Sequence, residues 1–138
     1  MPQRLMLVLL GVGLAACGGS VGVTDPFEPD PINVFVGTYS LHTVSGLPLP
    51  TAYPPIGGLV QITAGFITIK KDAIFTLTDY VRDPDIFGGG VTTRVSEGTY
   101  RATGSDITLS LDNRQVTGSL SGDRLTVLRG APEYVYMR

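Results

Sequence analysis

The sequence predicts an all-β domain over residues 34–138, an antiparallel meander barrel of about eight to nine strands. Three observations predict it. From Val34 onward no segment sustains a helical period, whereas many short runs alternate apolar and polar residues. The runs are joined by short connections of Gly, Asp, Asn and Ser, which tolerate a positive φ or bond their own backbone. Parallel strands need long crossovers, and these connections leave no room for them. Finally, each run has one apolar face, and a many-stranded sheet with one buried face closes most simply into a barrel, which removes exposed edges. A hydrophobic content of 43% supplies a core, and 138 residues suit one domain.

The elements begin with an address. Arg4 precedes the apolar run Leu5 to Leu14, LMLVLLGVGL, which is short of the about 20 residues a membrane span needs. It suits the h-region of a signal peptide over 1–16. Leu14-Ala15-Ala16-Cys17 follows, and Cys17 is the only cysteine. This resembles the lipobox of bacterial lipoproteins. The resemblance implies cleavage before Cys17, acylation of Cys17 (palmitate among the chains) and anchoring to a lipid bilayer. Gly18, where many inner-membrane lipoproteins carry Asp, implies an outer-membrane destination in the bacterial cell envelope. Loss of Arg4 leaves the mature chain with a net charge of −3.

Residues 17–33 hold the lipidated Cys17 and a flexible, disordered tether, GGSVGVTDPFEPDPIN, with Gly and Ser first and then Pro26, Pro29 and Pro31. Asp25, Glu28 and Asp30 keep it solvated.

Candidate strands then run over 34–44, 58–64, 66–71, 74–82, 91–103, 106–111, 115–121, 124–129 and 133–137. Turns separate them at Lys71-Asp72-Ala73, Gly104-Ser105-Asp106, Asp112-Asn113-Arg114 and Gly122-Asp123. Parity places Phe35, Gly37, Tyr39 and Leu41 on one face; Ile67, Ile69, Phe75 and Leu77 join them. So do Ile107, Leu109, Leu111, Val116, Gly118, Leu120, Leu125 and Val127. Gly37-Thr38-Tyr39 recurs as Gly98-Thr99-Tyr100, with Gly and Tyr on the same face; either the glycine leaves room for a neighbouring ring, or the echo is coincidence in a β chain rich in Gly, Thr and Tyr.

The order GTYSLHTVSGLPLP, GFITIKKDAIFTLTDYVR, EGTYRATGSDITL, VTGSLSGDRLTVL and EYVYMR resembles small bacterial lipocalin-like (calycin-like) lipoproteins. The resemblance covers about residues 34–138 and implies a lipocalin-like barrel, with no reaction, ligand or catalytic residue to carry over. Ala73 departs from the pattern, since that family usually has Gly after the turn Asp.

The sequence holds little that signals chemistry. A net charge of −2 argues against sequence-independent nucleic-acid binding. One Cys and one His exclude a disulfide framework, a cysteine-based zinc site and a multi-histidine metal site. His42 lies on the polar face with no evident partner, and there is no nucleophile elbow or phosphate loop. Asp83-Pro84-Asp85 offers too few oxygens for calcium and reads as a solvated hairpin tip. No cofactor, metal or catalytic residue is therefore assigned.

Two features stand out. Asp79 and Arg94 both carry apolar-face parity and face each other if the 83–90 loop closes symmetrically. They form a buried ion pair, or Arg94 orients a ligand's anionic head; the other reading turns both outward at a bulge. The segment GLPLPTAYPPIGG, with Leu47, Leu49, Tyr53 and Ile56, is a candidate barrel-mouth loop, read as a lid, a plug or a polyproline surface for a partner. The expected function is a non-enzymatic envelope lipoprotein binding a small apolar or amphipathic ligand in the barrel mouth. The alternative is a structural or protein-interaction module with a filled interior and an envelope protein partner.

Overall fold

The computed structural model describes residues 34–53, 58–85 and 89–138. Cys17, the signal segment, the tether and Ile56 lie outside the described residues.

Ten strands form: β1 (Gly37–Val44), β2 (Leu47–Pro48), β3 (Thr51–Ala52), β4 (Gln61–Ile69), β5 (Ile74–Arg82), β6 (Val91–Thr103), β7 (Asp106–Leu111), β8 (Arg114–Ser121), β9 (Arg124–Leu128) and β10 (Glu133–Met137). Eight of them, β1 and β4 to β10, pair antiparallel around a closed ring. Consecutive strands pair from β4 to β10, β10 pairs β1, and β1 closes on β4 through Gly37↔Ile69 to Ser40↔Phe66. The predicted all-β antiparallel barrel is the fold.

Closure is complete at one end and split at the other. Beyond Ser40, β1 leaves β4 and pairs with β2 at Thr43↔Pro48 and Val44↔Leu47, while β4 takes β3 at Thr51↔Ile62 and Ala52↔Gln61. The β2–β3 segment therefore sits in a seam at the end where the β5–β6, β7–β8 and β9–β10 connections also lie. The far end is shut. Phe35 and Tyr39 are fully buried there, and the Tyr39 hydroxyl donates to the Phe35 carbonyl at 2.9 Å. Arg138 lies over the Tyr39 ring and donates to the Val34 carbonyl and the Tyr39 hydroxyl.

The interior is the face that alternation picks out. Ile67, Ile69, Phe75, Leu77, Ile107, Leu109, Leu125 and Val127 are all buried. Two features differ from the sequence reading: the segment read as a mouth loop carries the two-residue strands β2 and β3, and one predicted strand boundary is absent. The runs 58–64 and 66–71 are one strand, β4, which carries a register shift between Ile62 and Ala64. Gly65 does not end a strand. It stands opposite Asp79, where an added Cβ would lie 3.0 Å from Leu41 and 3.3 Å from Asp79 Oδ1. The glycine leaves room for the Leu41 and Asp79 side chains of the two neighbouring strands. His42 is exposed, in the irregular stretch between Leu41 and Thr43.

The turns follow their residue chemistry. Asp112 (φ 48°) and Asn113 (φ 61°) join the Leu111↔Arg114 pair, and a two-residue turn with both φ positive matches the twist of the strands it joins. Ser45 (φ 51°) and Gly46 (φ 77°) do the same between β1 and β2. The three-residue turn 71–73 ends with Ala73 at φ 61°, the position where glycine is favoured. Ala73→Gly relieves the Cβ–carbonyl crowding of a left-handed alanine, and the expected gain is about 1 kcal/mol. A melting temperature about 4 °C higher reports it, and a lower one refutes the strain.

Candidate ligand-binding site

A cavity of about 850 Å³ occupies the barrel on the side of β5, β7, β8 and β9, and opens at the split end. Its wall is apolar in depth: Ile67, Phe75, Leu77, Leu109, Val116 and Val127. Alternation puts these side chains there, and β-branched and aromatic residues hold the strands that carry them. Polar residues gather toward the opening. Asp112, Arg114 and Gln115 come from the β7–β8 hairpin, and Gly130 and Pro132 from the β9–β10 turn. Arg129, Tyr53 and Tyr136 complete the lining.

Behind Arg129 and Tyr53 lies a buried polar knot. Asp79 is 2% exposed, the one buried charged residue among those described. Its Oδ2 accepts from the Arg129 guanidinium at 3.0 Å and from the Tyr53 hydroxyl at 3.0 Å. Arg129 donates weakly to the Tyr136 hydroxyl at 3.4 Å and stacks over the Tyr134 ring, 4.3 Å from its centroid. A charge this deep needs such a partner, because burying it alone costs several kcal/mol. Asp79 Oδ1 and the Tyr134 hydroxyl are buried without a protein partner.

The electrostatics fix the protonation states. Burial works against the Arg129 charge, but the neighbouring Tyr136 and Asp79 outweigh it and hold the guanidinium protonated. Burial pushes Tyr134 up to about 12 and raises Tyr136 further. Burial, then the Asp79 carboxylate, raises Tyr53. All three phenols are therefore neutral near pH 7, able to donate a proton to a hydrogen bond.

The predicted pair of Asp79 and Arg94 is corrected in its second member. The two residues do stand opposite each other in the β5–β6 register, and Asp79 does point inward. Arg94, however, is exposed, with its guanidinium 6.0 Å from the centre of the Tyr53 ring. Tyr53 stands between the Arg94 charge and the barrel interior, and Arg129 reaches Asp79 from across the barrel. The signal for Arg129 was its parity with Leu125 and Val127, which aims it inward from the end of β9. The same alternation on β10 places Tyr134 and Tyr136 inside.

The mouth segment is split in role. Leu47 is 58% exposed, Leu49 packs partly buried against the core, and Tyr53 is 5% exposed and bonded to Asp79. Tyr53 thus pins the segment into the seam. Asp83 and Asp85 stay in the loop, where the Asp85 amide donates to Asp83 Oδ1 at 3.0 Å, and Asp79 does not join them. Among the described residues no group of three or more His, Cys, Asp or Glu is placed to hold a metal.

The arrangement suits recognition of a small molecule. Apolar depth can hold a hydrocarbon body, and a few fixed donors near the opening can orient a polar end. Compared with protein-family models, curated proteins and solved structures, the chain matches none.

Proposed function

We propose that this chain is a non-enzymatic, lipocalin-like lipoprotein of the bacterial envelope, held to the outer membrane by acyl chains on Cys17, whose barrel binds a small amphipathic molecule. The observation that carries the binding reading is the cavity of about 850 Å³ with apolar depth and a polar opening. Its size falls in the range of small-molecule pockets, roughly 300–1,000 Å³. A module with a filled barrel is the rival, and an interior space of this size weighs against it. The membrane part of the proposal rests on the Leu14-Ala15-Ala16-Cys17 sequence.

Mass spectrometry of the chain extracted from a bacterial envelope tests both parts. Under denaturing conditions the expected mass is that of a chain beginning at an acylated Cys17. Under native conditions an additional small-molecule mass is expected, and it disappears on denaturation. An unacylated N-terminus refutes the anchor. A native mass equal to the denatured one, persisting after incubation with extracted envelope lipids, refutes the binding reading.

A further inference from the structure

The β5–β6 hairpin outruns the wall beside it. β6 extends from Val91 to Thr103, but β7 pairs only with Thr99–Thr103. β7 ends at Leu111, one step past Ser110 and so across from Gly98. Residues 91–97 therefore have β5 on one side and, among the described residues, no strand on the other. The stretch is an open edge. The Tyr100 amide donates to the Ala73 carbonyl, so the even-numbered residues of β6 turn their backbone groups toward β5. Alternation then turns those of Val91, Thr93, Val95 and Glu97 to the open side. No proline or bulge blunts the edge, since the register runs unbroken from Ile74↔Thr99 to Arg82↔Val91. Arg94, the inward-facing charge there, leans over the Tyr53 ring. Such a row of unpaired donors and acceptors is a template for another strand.

The outward side chains say which strand. Val91 and Val95 are 52% and 64% exposed, and they flank Thr93 symmetrically on the outward face. A second copy of this edge, antiparallel and related by a two-fold axis through Thr93, sets Thr93 on Thr93 and each Val91 on the other copy's Val95. Facing threonines bond each other, and facing β-branched residues cover each other's methyl groups. The neighbouring axes fit worse. Facing residues share a face, so the axis passes through a residue. An axis through Arg94 opposes two like charges. One through Val95 drives Thr92 of the second copy into the place of Leu111, across from Gly98.

We propose that two copies of this chain pair edge to edge along residues 91–95, antiparallel about Thr93, and so join their sheets into one. Each facing pair of residues with outward backbone groups exchanges both its hydrogen bonds. The contact is smaller than a standard interface, so the dimer is reversible.

Cross-linking of the full-length chain tests the register. In the dimer, Thr93→Cys faces its own copy across about 5.5 Å. Val95→Cys, equally accessible on the same edge, is displaced from its copy by about 13 Å along the strands. A bismaleimide shorter than that span is expected to join Thr93→Cys into a dimer and to leave Val95→Cys at the level of the parent, which carries Cys17 alone. Sedimentation adds a second measure. Thr93→Pro removes an N–H that bonds nothing within the chain, so the melting temperature should hold while dimerisation weakens about tenfold or more. Equal cross-linking of the two cysteine variants, a monomeric parent, or a Thr93→Pro chain that dimerises as the parent does overturns the proposal. A monomer that instead takes up an extended peptide from another protein along this edge overturns it too.

Discussion

Asp79→Ala is expected to destabilise the domain by about 3–5 kcal/mol, because it strands a buried guanidinium. Arg129 keeps its charge, and its side chain is only 17% exposed. Alanine removes the acceptor at 3.0 Å that offsets this, and Tyr53 loses its hydrogen bond in the same step. For a domain of this size the melting temperature should fall by roughly 15–25 °C. The decisive comparison is the pair replaced together. With Asp79→Leu and Arg129→Leu, neither charge remains, and the interior gains apolar volume at both sites. Such replacements are often neutral or stabilising in other proteins. The double variant should therefore regain most of the lost stability, and it remains informative even where the single variant fails to fold. A double variant no better than Asp79→Ala would show that the two charges do not depend on each other.

That dependence also explains what could and could not be read in the chain. Alternation within a strand reports which face a side chain takes, and it reported this well. Phe75, Leu77, Ile107, Leu109, Leu125 and Val127 all lie inside as their parity requires. Pairing between neighbours in sequence was also legible, since the 83–90 connection returns Arg94 opposite Asp79. Contact across the interior was not. Asp79 on β5 meets Arg129 at the end of β9, and only closure of β1 on β4 brings these strands face to face. Parity gives Arg94 and Arg129 equal claims on Asp79. The choice falls to Tyr53, whose buried ring comes from the Pro-rich segment, where no period guides the eye. Gly65 misled for a related reason. A glycine between apolar runs looks like a boundary, and its function here depends on Leu41 and Asp79, which belong to other strands.

Gly98 makes the same point with a larger penalty. It lies on the inward face of β6 beside the Phe75 ring, as the repeated Gly-Thr-Tyr pattern anticipated. An added Cβ would fall 2.3 Å from the Ser110 carbonyl oxygen on β7, and 2.8 Å from Phe75 Cε1. The ring can turn aside, but the carbonyl is fixed in the ladder that pairs Thr99 with Ser110. Admitting a methyl group there means separating two paired strands in a closed barrel, where displacement of one pair strains the whole ring. Gly98→Ala is therefore expected to cost about 3 kcal/mol or more, at the upper end of overpacking penalties. Gly90→Ala is the matched control. Nothing lies within 4 Å of its added Cβ, so its effect should stay within about 0.5 kcal/mol. Combining Gly98→Ala with Phe75→Leu tests which collision dominates. If the ring is the obstacle, the double variant recovers toward Phe75→Leu alone. If the carbonyl is, as 2.3 Å against 2.8 Å implies, the two losses add, and chemical denaturation of the four proteins separates these results.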